Sequence, residues 1–448
     1  MSKINDLRSY INALNAAGQL TRVNKPVSLV HELANVATTI ARGGRGAAWF
    51  EQPQGASMPV FAGAVVSPRL AALSLGCELD QITSVMGNAL DPAKGIAPVR
   101  VADAGWKANV LTGDQVDLHR IPIPTHGLHD GGPFITGGVT VSKDPISGRG
   151  NLSYNRMQVL DKNVLGFNVN EGRHTMQFYK VQEAKGEPLQ VAIIIGLDPA
   201  IMIAAGARYE GDELYIAGAI RGEGVPVCKG VTVDIDIPAN AEIVIEGYLP
   251  PQERRDEGPL AEFHGYYGEL WNSPVFHVTA ICHRDNPIFQ TIIPGEAEHI
   301  YIGNVLPREP LLLRFVKHVS SNVTGLHIPP YGNGFATVIQ LQKSNPGEPK
   351  NVALAAFTAH VNVKIAIVVD PDVNIYDPAD VLWALINRVD FSRDVFTVPG
   401  SQGHEMDPTA DTRGVHTKVG FDATYKPERR PYGDRIVYPS VDLEKYLG

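Results

Sequence analysis

Cysteine is nearly absent. Cys77, Cys228 and Cys282 are the three in 448 residues, and no Cys-x-x-Cys pair occurs. That usage excludes a disulfide-stapled scaffold and reads as reduced thiols in a cytoplasmic protein. No run approaches the roughly 18 apolar residues of a membrane span, and the opening MSKINDLRSY has charges but no apolar core, so no membrane partner is expected. Excess positive charge is also missing: 39 Lys and Arg stand against 48 Asp and Glu, a net charge of −9. This argues against nucleic acid as the main partner. Four signatures are absent as well: Gly-x-Gly-x-x-Gly after a strand, a Walker loop, His-Glu-x-x-His and Gly-x-Ser-x-Gly. Dinucleotide, P-loop, zincin and α/β-hydrolase chemistry lose their main support. There is no internal repeat and no low-complexity tract.

What is present is ordinary globular composition, 44% hydrophobic with 44 glycines and 33 prolines, long enough for two or three domains. Residues 5–21 read as an amphipathic helix with Leu7, Tyr10, Ile11 and Leu14 on one face, Asp6 as cap and Gly18 as stop. A second helix is expected over 29–42, strands over 47–51 and 60–66, and a helical patch near 67–88. After about residue 105 the pattern turns to strands, at 134–142, 151–160, 190–196, 231–237, 241–248 and 275–283. Many strands with turn signals and few helices point to an antiparallel barrel or sandwich. After 305 the mixture returns, with a buried strand at 363–369. A helix opens at Asp377-Pro378-Ala379-Asp380, where cap, first-turn proline and acid stand in order. The expected fold is α/β, then β-barrel, then α/β.

Three stretches are dense in reactive groups: Asn151 to Gln158 followed by Arg173-His174; Glu210-Gly-Asp-Glu213; and Glu257-Gly-Pro-Leu-Ala-Glu262-Phe-His264-Gly-Tyr-Tyr267. Singly, each has an ordinary structural reading. Arg156 could be ion-paired, Arg173-His174 a solvated loop pair, and Glu213 a helix cap. Glu257 and Glu262 could belong to a charged loop, since Pro259 forbids a helix interior. Together, two carboxylates and an arginine make a proton-transfer unit: the cation holds one acid ionised while the pKa of the other is free to rise. Asparagine oxygen, imidazole nitrogen and glutamate oxygen form a fairly hard donor set, better suited to Mg2+ or Mn2+ on a phosphate than to zinc. In a regular strand Asn151 and Arg156 point to opposite faces, so a bulge or strand end must intervene if both serve one ligand.

Several segments, in order along the chain, resemble UbiD-type decarboxylases. The opening Leu7-Arg-Ser-Tyr-Ile-Asn-Ala-Leu-Asn-Ala-Ala-Gly18-Gln-Leu20 resembles that family's N-terminal helix, and Gly46-Ala-Ala-Trp-Phe-Glu51 follows it. Asn151 to Gln158 resembles its Asn-x-x-x-x-Arg-Met-Gln strand. Glu257-Gly-Pro-x-x-Glu262-x-x-Gly-Tyr266 is similar to its most telling motif, and Gly420-Phe-Asp-Ala-Thr424 to its C-terminal signature.

The resemblance implies an N-terminal α/β domain over 1–105, a split β-barrel binding prenylated FMN over 106–305, and a C-terminal α/β domain with an oligomerising role over 306–448. It also implies Mn2+ (or Mg2+), with K+, at the cofactor phosphate. Asn151, His174 and Glu213 would be the metal ligands, with Glu223 a weaker competitor for the last. Arg156, Met157, Gln158 and Arg173 would join them around the cofactor. Arg156, Glu257 and Glu262 would be catalytic, with Glu262 ranked before Glu257 as the donor that protonates the carbon losing CO2. The implied activity is reversible, non-oxidative decarboxylation of a small aromatic, furan- or pyrrole-type, or α,β-unsaturated carboxylic acid through a covalent substrate–cofactor adduct. A flavin prenyltransferase would supply the cofactor, and the chain would form a homodimer or higher homo-oligomer. His299 would grip a second polar group of the substrate, against the alternative of a surface histidine. His327, Tyr331 and His404 have no assigned role. The competing functions are an FMN-dependent split-barrel oxidoreductase and a non-catalytic subunit of a carboxylase complex.

Overall fold

The computed structural model describes residues 3–429, 433–436, 438–442 and 445–447. They form two compact units, Met1–Leu311 with Ile328–Gly334, and Leu312–His327 with Phe335–Gly448.

The first unit begins with the helix Leu7–Ala16, whose Asp6 side chain accepts from the Ser9 amide while Ser9 reaches back to the cap backbone. Such a capping box contributes about 1 kcal/mol. The helix is shorter than the expected 5–21, because Gly18 turns the chain at φ 65° and Leu20–Val23 then pairs in parallel with Ala47–Phe50. Gly46 lets that pairing happen: a Cβ there would meet the Gln19 carbonyl oxygen at 2.2 Å. The expected patch at 67–88 divides into Pro68–Leu75 and Ile82–Ala89, with Gly76 in the left-handed region between them.

The centre of this unit is a ten-stranded sheet. Its order runs Phe134–Ile135, Met157–Asp161, Val164–Phe167, Trp271–His283, Ile243–Leu249, Leu189–Ile195, Val139–Lys143, Gly150–Tyr154, and both Asn109–Thr112 and Arg254–Glu257 also pair with Trp271–His283. The expected single strand over 151–160 is therefore two. Gly150–Tyr154 lies at one end of the path and Met157–Asp161 next to the other, yet only Asn155 and Arg156 separate them. Two residues span no more than ~10 Å, so the sheet curls round until its ends approach. Among the described residues no pairing closes it. The inner face is packed by residues such as Ile193, Ile245, Phe167, Phe276 and Met157, all without solvent exposure.

Two further expected strands are corrected: that over 134–142 is two, Phe134–Ile135 and Val139–Lys143, broken at Thr136-Gly-Gly138, and that over 231–237 is mostly lost. Only Asp236–Pro238 of 231–237 is a strand. The alternation itself is real, since Val233, Ile235 and Ile237 are buried while Val231 is exposed. However, the amides of Val231 and Thr232 are taken by the buried Glu246 carboxylate, and that of Gly230 by the Ile235 carbonyl, which leaves no ladder. Burial pattern without available amides does not make a strand.

The second unit is a five-stranded sheet, ordered Val323–His327, Ala336–Leu341, Ile365–Val369, Val415–Ala423, Val395–Gln402. The helix Pro378–Arg388 starts where expected, Asp377 accepting from the Ala379 amide at 2.9 Å. The Gly420 to Thr424 signature lies at the end of a strand of this sheet, where Asp422 accepts from the Thr424 amide.

Candidate active site

Arg156 sits in the two-residue crossing between the ends of the curled sheet, and this resolves the problem of opposite strand faces: the strand stops before it. Its guanidinium meets both glutamates of the Glu257–Glu262 loop. Nη2 donates to Glu257 Oε2 at 2.9 Å and Nη1 to Glu262 Oε1. Nε lies 2.9 Å from Glu257 Oε1 as an ion pair, but off the line of a hydrogen bond, and neither atom has another partner. The Glu257 side chain is fully buried and that of Glu262 15% exposed, so the three charges interact in a medium far less screening than water.

The two acids differ in their surroundings. Burial raises the pKa of both, and Arg156 opposes it in both. Glu257 receives a further hydrogen bond from Asn168 Nδ2 at 3.1 Å, which favours its ionised form. Glu262 instead feels the Glu257 charge, which favours its protonated form. Sequence pattern alone cannot rank them, because Asn168 lies 89 residues from Glu257.

At a second cluster, the His174 ring nitrogen Nδ1 stands 3.0 Å from Asn151 Oδ1, and Asn151 Nδ2 reaches Thr175. This is the separation of two ends of one hydrogen bond, or of two ligands on one small cation. Asp212, not Glu213, caps the helix Glu213–Arg221 by accepting from the Leu214 amide at 2.9 Å. Glu213 is thereby free to turn inward, where Oε2 accepts from the amide of Leu152, the residue after Asn151, at 2.7 Å. Glu213 is 2% exposed and has no cation within ion-pair distance among the described residues, and burial pushes its pKa up to about 8 against the charge of Arg149. Its competitor Glu223 lies on the surface, paired with Lys3. Among the described residues no three His, Cys, Asp or Glu side chains are placed to hold a metal by themselves. A cation here would need the Asn151 oxygen. An uncompensated buried carboxyl beside an amide oxygen and an imidazole is the donor set such an ion would complete, so the residues fit it.

Three arginines form a cationic wall. Burial and Arg208 hold the pKa of Arg173 down, and burial with both of these pushes that of Arg308 down to about 10. Arg173 and Arg208 are exposed, and Arg308 is half-buried. Arg308 donates to Asn304 Oδ1 at 2.6 Å, and among the described residues none of the three has a carboxylate within ion-pair distance. No spacing in the sequence links Arg208 or Arg308 to Arg173. Only their unpaired charge marks them.

Other expected residues are placed differently from one another. The Met157 side chain is in the hydrophobic core, wholly buried. The Gln158 amide is used at both ends by protein groups, Gly131 O and the Gly258 amide. His299 is partly buried rather than a surface residue: its Nδ1 accepts from the Gly295 amide, it meets Phe263 edge-on, and burial beside His264 lowers its pKa to about 4. Neighbouring Glu298 is 1% exposed and accepts from the Gly63 and Ala64 amides, which anchors the short helix Ala297–Ile300.

The chain matches the 3-octaprenyl-4-hydroxybenzoate carboxy-lyase N-terminal domain over residues 11–90, the Rift-related domain over 98–297 and the C-terminal domain over 301–423. It belongs to the UbiD family. It is 34% identical over 441 residues to anhydromevalonate phosphate decarboxylase of Methanosarcina mazei, covering 96% of this chain and 99% of that one. The UbiD-class enzyme HmfF from Pelotomaculum thermopropionicum, solved with FMN, superposes with a TM-score of 0.94 at 36% identity, over 99% of this chain and 100% of that one. An evolved dimeric form of HmfF is solved with prFMN, at 34% identity and TM-score 0.91, over the same shares of the two chains. The apo 3,4-dihydroxybenzoic acid decarboxylase of Enterobacter cloacae gives 0.93 at 31% identity, over 99% of both chains. This UbiD-family chain is thus a decarboxylase with flavin-binding relatives. Among its described residues no helix is long and apolar enough to cross a membrane.

Proposed function

We propose that the chain decarboxylates, reversibly, a small aromatic, heteroaromatic or α,β-unsaturated carboxylic acid with prenylated FMN as cofactor. The observation that carries this reading is the buried Arg156–Glu257–Glu262 cluster, a proton-transfer unit that hydride transfer to FMN or a non-catalytic subunit would not use. The curled ten-stranded sheet is read as the split barrel of residues 106–305, with α/β domains preceding it in sequence over 1–105 and following it over 306–448. When bound, prenylated flavin supplies the covalent attachment point and the sink for the electrons that CO2 leaves behind. Arg156 orients the substrate carboxylate and keeps Glu257 ionised. Glu262 delivers the proton to the vacated carbon, or removes it in the carboxylation direction. Asn151, His174 and Glu213 would hold Mn2+ or Mg2+, with K+ nearby, against the cofactor phosphate, and the arginine wall of Arg173, Arg208 and Arg308 would complete its charge. His299, neutral and with Nδ1 engaged by Gly295, would present an Nε2–H to an acceptor atom on the substrate. The free thiols fit a cytoplasmic protein, and the dimeric relative supports a homo-oligomer.

The test is CO2 release from a panel of aromatic, furan, pyrrole and unsaturated acids, by protein produced with and without a flavin prenyltransferase. Release is expected only after co-production. Equal release by protein holding FMN alone would sink the cofactor assignment.

His174→Ala and Glu213→Ala are expected to lose bound metal and flavin while still folding. Glu213→Ala also removes a carboxyl whose charged form burial disfavours, so in metal-free melts above pH 8, where that group ionises, its melting temperature should not fall below that of the parent. Elemental analysis, flavin absorbance and thermal melts measure all three. Full metal content in both variants would reassign the ligands.

A further inference from the structure

The two glutamates stand on a loop that is clamped from behind. Gly258, directly after Glu257, donates its amide to Gln158 Oε1 at 2.8 Å, and Gln158 Nε2 donates to Gly131 O at 2.8 Å. Gly131 in turn donates to Pro259 O at 2.8 Å. Ala261, directly before Glu262, donates to Asp130 Oδ1 at 3.2 Å, while Asp130 Oδ2 accepts from the Gly127 amide at 2.6 Å. Each glutamate is thus adjacent to a residue tied to the segment 126–132. The approach is as close as backbone allows: a Cβ on Gly131 would lie 2.0 Å from Gly258 O.

We infer that Gln158 is a positioning residue for proton transfer, its amide fixing Glu257 and Glu262 against Arg156 by cross-linking Gly131 and Gly258. The reason for glutamine is that the clamp needs one donor and one acceptor on a single planar group, which a carboxamide has and a carboxylate lacks. Gln158 is 6% exposed with both ends occupied, so it has little left to offer a ligand. This inference rests on the decarboxylase reading and adds a residue whose substitution should damage chemistry without touching substrate or flavin.

The experiment uses flavin-loaded Gln158→Leu and Gln158→Glu. Gln158→Leu should keep flavin content and a KM within about threefold of the parent. It should lose tenfold or more in kcat, and in deuterium exchange of the product C–H, at every pH. Gln158→Glu should be as impaired at pH 8 and recover towards pH 5, because a protonated carboxyl regains the donor for Gly131 O. The groups facing that position are Glu257, Glu262 and Asp130, which favour its protonation, and Arg156, which opposes it. Backbone amide exchange over 257–262 should quicken in Gln158→Leu. Unchanged kcat, a loss confined to flavin content, or a Gln158→Glu profile parallel to the parent would each overturn the inference. If the parent decarboxylates no acid, the functional reading fails, and unchanged amide exchange at 257–262 would independently sink the clamp.

Discussion

Glu262→Gln is expected to give a folded, flavin-loaded protein whose turnover falls about 10²–10⁴-fold, the usual loss on removing a general acid. Glutamine keeps the shape and still accepts from Arg156 Nη1, but it has no transferable proton. Deuterium exchange of the product C–H should collapse in parallel, because it reports the same proton moving in reverse. Glu257→Gln should retain more exchange, since Asn168 and Arg156 assign Glu257 to the ionised role. The sign of the pH dependence follows from the raised pKa of Glu262. The donor is loaded below that pKa and empties as pH rises through it, so product protonation should decline on the alkaline side. Faster exchange in Glu262→Gln than in Glu257→Gln would swap the roles, and normal exchange in both would make the trio structural.

Much of this site was legible in the sequence because its parts are local. Asp6 and Asp377 declare their helices by cap chemistry, and both caps are formed. The Glu257-Gly-Pro-x-x-Glu262 run gives both acids, and Asn151 to Gln158 gives the arginine. What the sequence could not show is what joins them. The crossing at Asn155-Arg156 is visible only once strands from opposite ends of the sheet are seen to meet. Arg208 and Arg308 carry no periodic signal, and Gln158 acts on partners 27 and 100 residues away. The strand expected at 231–237 fails for the same reason: Glu246, a buried carboxylate 15 residues away, takes the amide that a neighbouring strand would have used. Periodicity reports which side chains are buried. It is silent on which distant group satisfies the backbone.

Arg156→Met tests the charge balance of the whole cluster. Methionine keeps most of the length and apolar stem but leaves Glu257 and Glu262 facing each other without a cation. Removing one partner of a buried ion pair typically costs about 3–5 kcal/mol, and activity should be lost with it. The cost should depend on pH in a definite direction. Burial already raises both carboxyl pKa values above their ordinary range, and losing Arg156 raises them further. A carboxyl whose folded pKa exceeds its unfolded value binds more protons in the folded state. Its contribution is therefore harmless below the unfolded pKa, and stability falls as pH climbs from there towards the folded value. Urea titrations should accordingly find the variant closest to its parent near pH 5 and furthest from it near pH 8. Adding Glu257→Gln to Arg156→Met should recover part of the lost stability at pH 8 without recovering turnover, because it removes one of the stranded charges but not the need for an ionised partner. A deficit equal at both pH values, unmoved by the second substitution, would mean that Arg156 contributes packing rather than charge, and the cluster would no longer support a proton-transfer reading.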